Sequence, residues 1–351
     1  MKNRKDLFIE IHSKYRDAIK VYKGFAIKKG SLFYNSTKLF FYNENRIFTC
    51  GMYLDWWVTW IKATPWRISF LNDDELLYSH PLAFCNLVYK KKRYRIGFDL
   101  WDKYPIYASH QIANNKVYEK SVIERWKICD LYFKTNYFDA KSPFRYRAPL
   151  GYVSKEEDKG RELAEEAYHA KNVFPAGMPL FFGWNFVSGG YKSFIRKKRE
   201  NDLISSISTL KKFSPIRNKM VNLVTSKFDQ PNHTKEYSGY LNKLGNTKIS
   251  IDYPSNSRFT FRTSESLAMG ALLLGPPGCN VYPKEVKIEE CMVNCKEDLS
   301  DFLDKIDYFL VHDKEREEIA YLGMKMWENL MSPQNLSKYW LNTAIQYLEL
   351  F

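Results

Sequence analysis

The chain has no long apolar run. No hydrophobic stretch approaches the roughly 18 residues that a bilayer span requires. The opening "MKNRKDLFIEIHSKYRD" turns polar and acidic where a secretion signal would carry its apolar segment. Together these lead to the expectation of a cytoplasmic protein. Cys-x-x-Cys is also missing: the six cysteines, Cys50, Cys85, Cys129, Cys279, Cys291 and Cys295, are scattered along the sequence. Cys291 and Cys295 lie four apart, but no nearby His or Cys pair completes a metal set, so reduced thiols are expected rather than a disulfide framework or a zinc site. No glycine-rich turn follows a first strand, which excludes the dinucleotide fingerprint. Internal repeats and low-complexity segments are absent as well.

What is present is a long, aromatic-rich, unevenly charged chain. Its 351 residues exceed the roughly 250 to 300 at which single cores stop growing, so two domains are expected. Hydrophobic residues at 45% and charged residues at 27% place it among globular chains. The net charge of +14 divides into +13 over residues 1–150, +7 over 151–250 and −6 over 251–351. Coding bias alone can produce such lysine enrichment. If the asymmetry serves function, the front of the chain faces something anionic: nucleic acid, a phospholipid surface or an acidic glycan.

Apolar runs and turn signals alternate through most of the chain. "LFIEIH" and "WRISFL" read as strands, and "SLFYN" and "KLFFYN" as extended pieces. Between them "YLDWWVTWIK" carries Trp56, Trp57 and Trp60, expected to pack inside or to stack on a ligand. "KKKRYRIGFDLWDKYPI" reads as a basic run feeding a short strand that ends at Asp99, with Asp102 just beyond; "DLYFKTN" reads as a strand ending at Lys134. Residues 151–172 read as a surface helix and linker. Then "LFFGWNFVSGG" predicts a strand, "IRKKRENDLISSISTL" a helix, "KMVNLVTSKF" a strand, "KEYSGYLNKLG" a helix ended by Gly245, and "KISIDYP" a strand. A helix in "SNSRFTFRTSESLAMG" and a strand in "ALLLGPP" follow, and the end of the chain reads as helices split near Pro333. Alternation of this kind implies α/β layers with mostly parallel sheets, whose ligands collect at the carboxyl ends of strands.

Within this pattern one pair of residues stands out. Positions three apart share a helix face, so Arg262 and Glu265 point together near the entrance of their helix, where free backbone N–H groups and a partial positive charge suit phosphate. Arg262 adds a fixed cation, and Glu265 an acceptor able to hold two ribose hydroxyls. Ser255, Asn256, Ser257 and Thr260 offer small donors to a diphosphate, while Ala268 and Gly270 let the helix lie close to the next strand. As a bare surface ion pair, Arg262 and Glu265 would be worth only about 0 to 1 kcal/mol.

The stretch "KEYSGYLNKLGNTKISIDYPSNSRFTFRTSESLAMGALLLGPPG" resembles the nucleotide-binding half of GT-B glycosyltransferases, with likeness to exostosin-like, spore-coat-like and phage DNA glucosyltransferase members. The shared pattern is a tyrosine-bearing helix, a strand ending in a small polar loop, Arg-x-x-Glu, a small residue with Gly, and an apolar strand. The resemblance implies that Glu265 binds the nucleotide ribose and that Arg262 serves the phosphate side. Upstream, "LFFGWNFVSGGYKSFIRKKREND" resembles the same domain's first strand and phosphate loop, which implies roles for Gly183 and Arg199, with Arg196 a competitor. The likeness spans about residues 178–330. Retaining members often carry an earlier glutamate where Ser257 stands here, so an inverting enzyme or a divergent branch is expected.

An inverting transfer needs a general base and a cationic or dipolar grip on the leaving diphosphate. Asp-x-Asp, the metal-carrying motif of the other large glycosyltransferase fold, is absent, so no metal or other cofactor is expected beyond the nucleotide-sugar donor. Asp99 and Asp102, at the end of a front strand, are the candidate bases, with His80 and His110 as alternatives. The expected architecture is α/β, two Rossmann-like domains facing each other across a cleft: an acceptor-side domain over residues 1–172, a nucleotide-sugar domain over 173–325, and helices over 326–351 crossing back to the first. Three partners follow from this reading. One is a glycan or lipid-linked acceptor in polysaccharide biosynthesis, met at an anionic membrane surface. Another is a modified DNA base, and the last is nucleic acid bound by a chain that has lost catalysis.

Overall fold

The computed structural model describes residues 6–13, 66–73, 82–99, 125–135, 169–177, 190–204, 215–229, 237–252, 261–277 and 286–350, with single positions such as Trp57, Trp60 and Leu76 between them. Two sheets organise these residues. The first holds β1 (Leu7–His12), β2 (Arg67–Leu71), β3 (Leu82–Tyr89), β4 (Lys92–Asp99), β5 (Leu131–Lys134) and β6 (Val173–Pro175), in the spatial order β2-β1-β3-β4-β5-β6. β1 pairs in parallel with β2, β4 with β5 and β5 with β6, whereas β3 runs antiparallel to both neighbours. Five strands therefore point one way, and their carboxyl ends line one edge. β3 and β4 form a hairpin closed by Lys90 and Lys91, both in left-handed backbone, with φ of 48° and 70°.

Strand alternation gives this sheet two unlike faces. Leu7, Ile9, Ile11, Ile96, Phe98 and Phe133 share the apolar face and are all buried. Glu10, Asn86 and Arg93 lie on the other, where the Arg93 guanidinium donates from Nε to Glu10 Oε2 at 2.7 Å and from Nη2 to Oε1 at 3.0 Å. Trp57 and Trp60 are buried, and Trp60 tilts against Phe98 with ring centroids 6.2 Å apart. Trp56 lies outside the described residues. The described cysteines, Cys85, Cys129, Cys291 and Cys295, are buried.

The second sheet is wholly parallel: β7 (Asn201–Ile204), β8 (Thr247–Ile251), β9 (Leu272–Gly275) and β10 (Met292–Asn294), in the order β10-β9-β8-β7. Before β8 come helices α1 (Pro215–Lys227) and α2 (Tyr237–Gly245); α3 (Phe261–Ala268) connects β8 to β9. After β10 come α4 (Phe302–Val311), α5 (Asp313–Met326) and α6 (Pro333–Tyr347). Two sequence expectations are corrected here. "KMVNLVTSKF" is helical, not a strand: Met220 and Val224, four apart, both reach the core at 0% exposure, which is the period of a helix face. "IRKKRENDLISSISTL" contains strand β7, with Leu203 and Ile204 buried, so it is not one helix. Most of "LFFGWNFVSGG" falls outside the described residues.

α5 runs into a π-helical turn, Trp327–Met331, and Pro333 opens α6 at its first helical position, where a missing N–H costs nothing. α6 then lies on the apolar face of the first sheet. Trp340 meets Phe98 edge-on at 5.1 Å and Phe133 at 6.2 Å, and Ser337 Oγ donates to the Trp60 carbonyl at 2.6 Å. Among the described residues no helix is long and apolar enough to cross a membrane.

Candidate functional site

Parallel connections place the start of α3 at the carboxyl edge of the second sheet, because the helix runs back against the direction of β8. α3 stops in a Schellman arrangement: Gly270 takes φ +67°, its N–H bonds the Leu267 carbonyl, and the Ala271 N–H bonds that of Ser266. From Thr263 to Met269 every residue is buried, so its small polar side chains must find partners inside. Thr263 Oγ1 donates to Asp252 Oδ1 at 3.0 Å, Ser266 and Ser250 share a 2.7 Å hydroxyl contact, and Ser264 Oγ accepts from Trp327 Nε1 at 2.8 Å.

Arg262 and Glu265 converge on a third residue. Tyr240, in the opening turn of α2, has its hydroxyl beside both the Glu265 carboxylate and the Arg262 guanidinium. Burial, then the Glu265 charge, pushes that hydroxyl well above its ordinary range, while Arg262 opposes the shift. Arg262 is half-buried and Glu265 is 0% exposed, so neither side chain extends into bulk water as a surface pair would. Asp252, buried immediately after β8, lies at the same edge. Gly275 ends β9 against it: a Cβ there would stand 2.4 Å from the Asp252 carbonyl oxygen, which explains why a glycine precedes the paired prolines.

Arg199 lies elsewhere. Its Nη1 donates to the Thr247 carbonyl at 2.7 Å, and its Nη2 to the Met269 carbonyl at 2.7 Å, just past the last turn of α3. It therefore caps the negative end of the helix whose opposite end carries Arg262, about 10 Å away at 1.5 Å per residue. Arg199, expected near the pyrophosphate, thus spends its guanidinium on backbone carbonyls at the far end of α3 from Arg262. Desolvation, with Arg316 nearby, lowers its pKa to about 10. Arg196, the competitor, donates to Asn242 Oδ1 at 2.9 Å on the surface.

In the first sheet, Asp99 closes β4 beside Lys134, which closes β5 in register with it. Asp99 is 1% exposed and Lys134 4%; the Lys134 Nζ stands 3.1 Å from Asp99 Oδ1, and the Tyr132 hydroxyl donates to Oδ2 at 3.3 Å. Asp102, Gly183, Ser255, Asn256, Ser257 and Thr260 lie outside the described residues, as do His80 and His110.

Sequence reasoning did not single out Tyr240 or Asp252. The acid at the end of "KISID" carried the same strand-end signal used for Asp99, whereas Tyr240 meets its partners only through the packing of two helices.

No protein-family model and no curated protein matches the chain. Among solved structures it superposes on a crystal structure of TarM with a TM-score of 0.39 and 11% identity. The superposition covers 69% of this chain and 48% of TarM, so the chain spans about half the length of that structure. A likeness this loose carries no inference about activity. What stands is the architecture: a mixed α/β chain with a wholly parallel sheet and a second sheet in which five of six strands run together.

Proposed function

We propose that the chain is a metal-independent, inverting glycosyltransferase of the GT-B kind that moves a sugar from a nucleotide-sugar donor to a glycan acceptor. The observation that carries this reading is the convergence of Arg262, Glu265 and Tyr240 at the carboxyl edge of the wholly parallel sheet. That edge is where α/β sheets receive ligands, and the resemblance of Arg-x-x-Glu in its setting agrees with it. In this reading the chain divides near residue 172, with the helices beyond 326 returning to the first half.

Arg262 holds the diphosphate, and Glu265 the ribose hydroxyls. Glu265 is enclosed beside Tyr240, so in this reading donor binding uncovers it, with the ribose taking the place of the Tyr240 hydroxyl. The acceptor oxygen attacks the anomeric carbon, the bond to the diphosphate oxygen breaks, and the nucleoside diphosphate leaves with the electron pair. The acceptor proton goes to a front-half carboxylate. The candidate carboxylates are Asp99, which pairs with Lys134, and Asp102.

A thermal-shift panel of nucleoside diphosphates tests the reading. A selective ligand at a hundred times its Kd adds about 2.7 kcal/mol of stability. We expect one nucleotide to do this for the native chain and to fail in Arg262→Ala and Glu265→Ala. A panel without response, or variants that respond like the native chain, would refute it.

A further inference from the structure

The amino edge of the first sheet, opposite the edge where Asp99 and Lys134 end their strands, collects positive charge. Arg67 opens β2, Lys90 and Lys91 form the β3–β4 turn, and Lys92 opens β4; Lys127 precedes β5 and Lys171 precedes β6. All six are exposed. Among the described residues, the carboxylates next in sequence to this edge are Asp6 and Asp130, and Asp130 already accepts from the Arg95 amide at 2.7 Å.

The turn itself is the informative part. A two-residue hairpin turn with both residues at positive φ favours Asn-Gly, since side chains with a full Cβ crowd the backbone there. This chain places Lys90 at φ 48° and Lys91 at φ 70° instead. Neither side chain fills a core, so nothing in the folding of the hairpin accounts for two lysines at its tip. Strained positions occupied against local preference mark function more often than packing.

We propose that this edge docks the protein on an anionic lipid bilayer. The cations at the tip are lysines, compact point charges suited to a fluid array of phosphates, rather than the forked guanidinium groups that read bases. The aromatic rings of the edge lie beneath the charges: Tyr89 is 8% exposed and Trp126 6%, with the Lys90 and Lys127 ammonium groups 5.0 Å and 5.4 Å from their ring centroids, and half-buried Tyr94 and Phe8 sit under Lys92 and Arg67 at 4.7 Å and 4.8 Å. Rings covered by cations in this way are a poor platform for stacked bases. Ile128 beside Lys127 is 62% exposed, the one large apolar side chain outside the C-terminal helices that the described residues leave in water to this degree, and it suits the boundary between headgroups and acyl chains. The tip stands the length of β4, about 26 Å, from Asp99. Docking on this edge holds the carboxyl edge away from the bilayer, so an acceptor reaches it as an extended chain or from solution. The inference is independent of the donor site.

Co-sedimentation with vesicles tests it, using phosphatidylcholine alone and phosphatidylcholine mixed with phosphatidylglycerol, and duplex DNA as a competing polyanion. The probe variant is Lys90→Asn with Lys91→Gly, which suits the turn and should raise Tm while removing two charges. We expect binding to the anionic vesicles alone, weakening about fivefold for each lysine removed, with a folded variant. Undiminished binding by that variant, equal binding to both vesicles, no vesicle binding, or a preference for duplex DNA would overturn the proposal.

Discussion

Arg199 and Arg262 show how two arginines of one composition take different work from their surroundings. Arg199 ties the last turns of two helices together through backbone carbonyls. Charged hydrogen bonds of this kind contribute about 1.5 to 3 kcal/mol each. Arg199→Met should therefore lower stability by about 3 kcal/mol in urea titration yet leave the nucleotide Kd within about twofold, whereas Arg262→Ala should raise that Kd at least about tenfold. Tyr240→Phe removes a buried hydroxyl from between two charges and should cost about 1 kcal/mol by the same titration. The Arg262–Glu265 pair was legible in the sequence because it belongs to one helix and obeys one period. Tyr240 was not, since its place depends on how α2 settles against α3.

Elements were legible where the pattern had a single meaning. β1, β4, β8 and β9 follow from alternating or continuous apolar runs bounded by turns, and α2 ends at the glycine expected to stop it. α1 was misread because its valines suggest a strand, while its burial follows the four-residue spacing of Met220 and Val224. The hairpin turn was invisible for the opposite reason: lysines carry none of the usual turn signal. The C-terminal helices make the most direct element-scale prediction. Trp340, fully buried against Phe98 and Phe133, anchors α6 on the first sheet, and Trp340→Ala should cost about 3 to 5 kcal/mol in denaturant titration. Gly177, at φ +97° and with Leu336 side-chain carbon 2.5 Å from any added Cβ, should likewise tolerate no alanine, which would show as a lower Tm.

Across the whole molecule, α5, the π-helical turn and α6 carry the chain from the second sheet back to the first. Glu328 in that turn bridges Lys192 at 2.9 Å and Lys325 at 3.0 Å, and these lysines hold its carboxyl below the ordinary glutamate range. A carboxyl with a depressed folded pKa adds stability that is complete above its unfolded value and is lost as pH falls through the folded one. Glu328→Gln should therefore lower Tm near neutral pH, and that deficit should disappear as pH falls through the depressed folded pKa of Glu328. If the donor closes two halves about this connection, solution scattering should give a smaller radius of gyration with nucleotide than without; identical profiles would speak against closure.

The central claim is that Arg262 and Glu265 jointly hold a nucleoside diphosphate, and a crystal structure of that complex tests it most directly. The account predicts the diphosphate against the Arg262 guanidinium and the ribose hydroxyls within about 3 Å of the Glu265 carboxylate. A nucleotide bound elsewhere, with Glu265 still enclosed beside Tyr240, would contradict it.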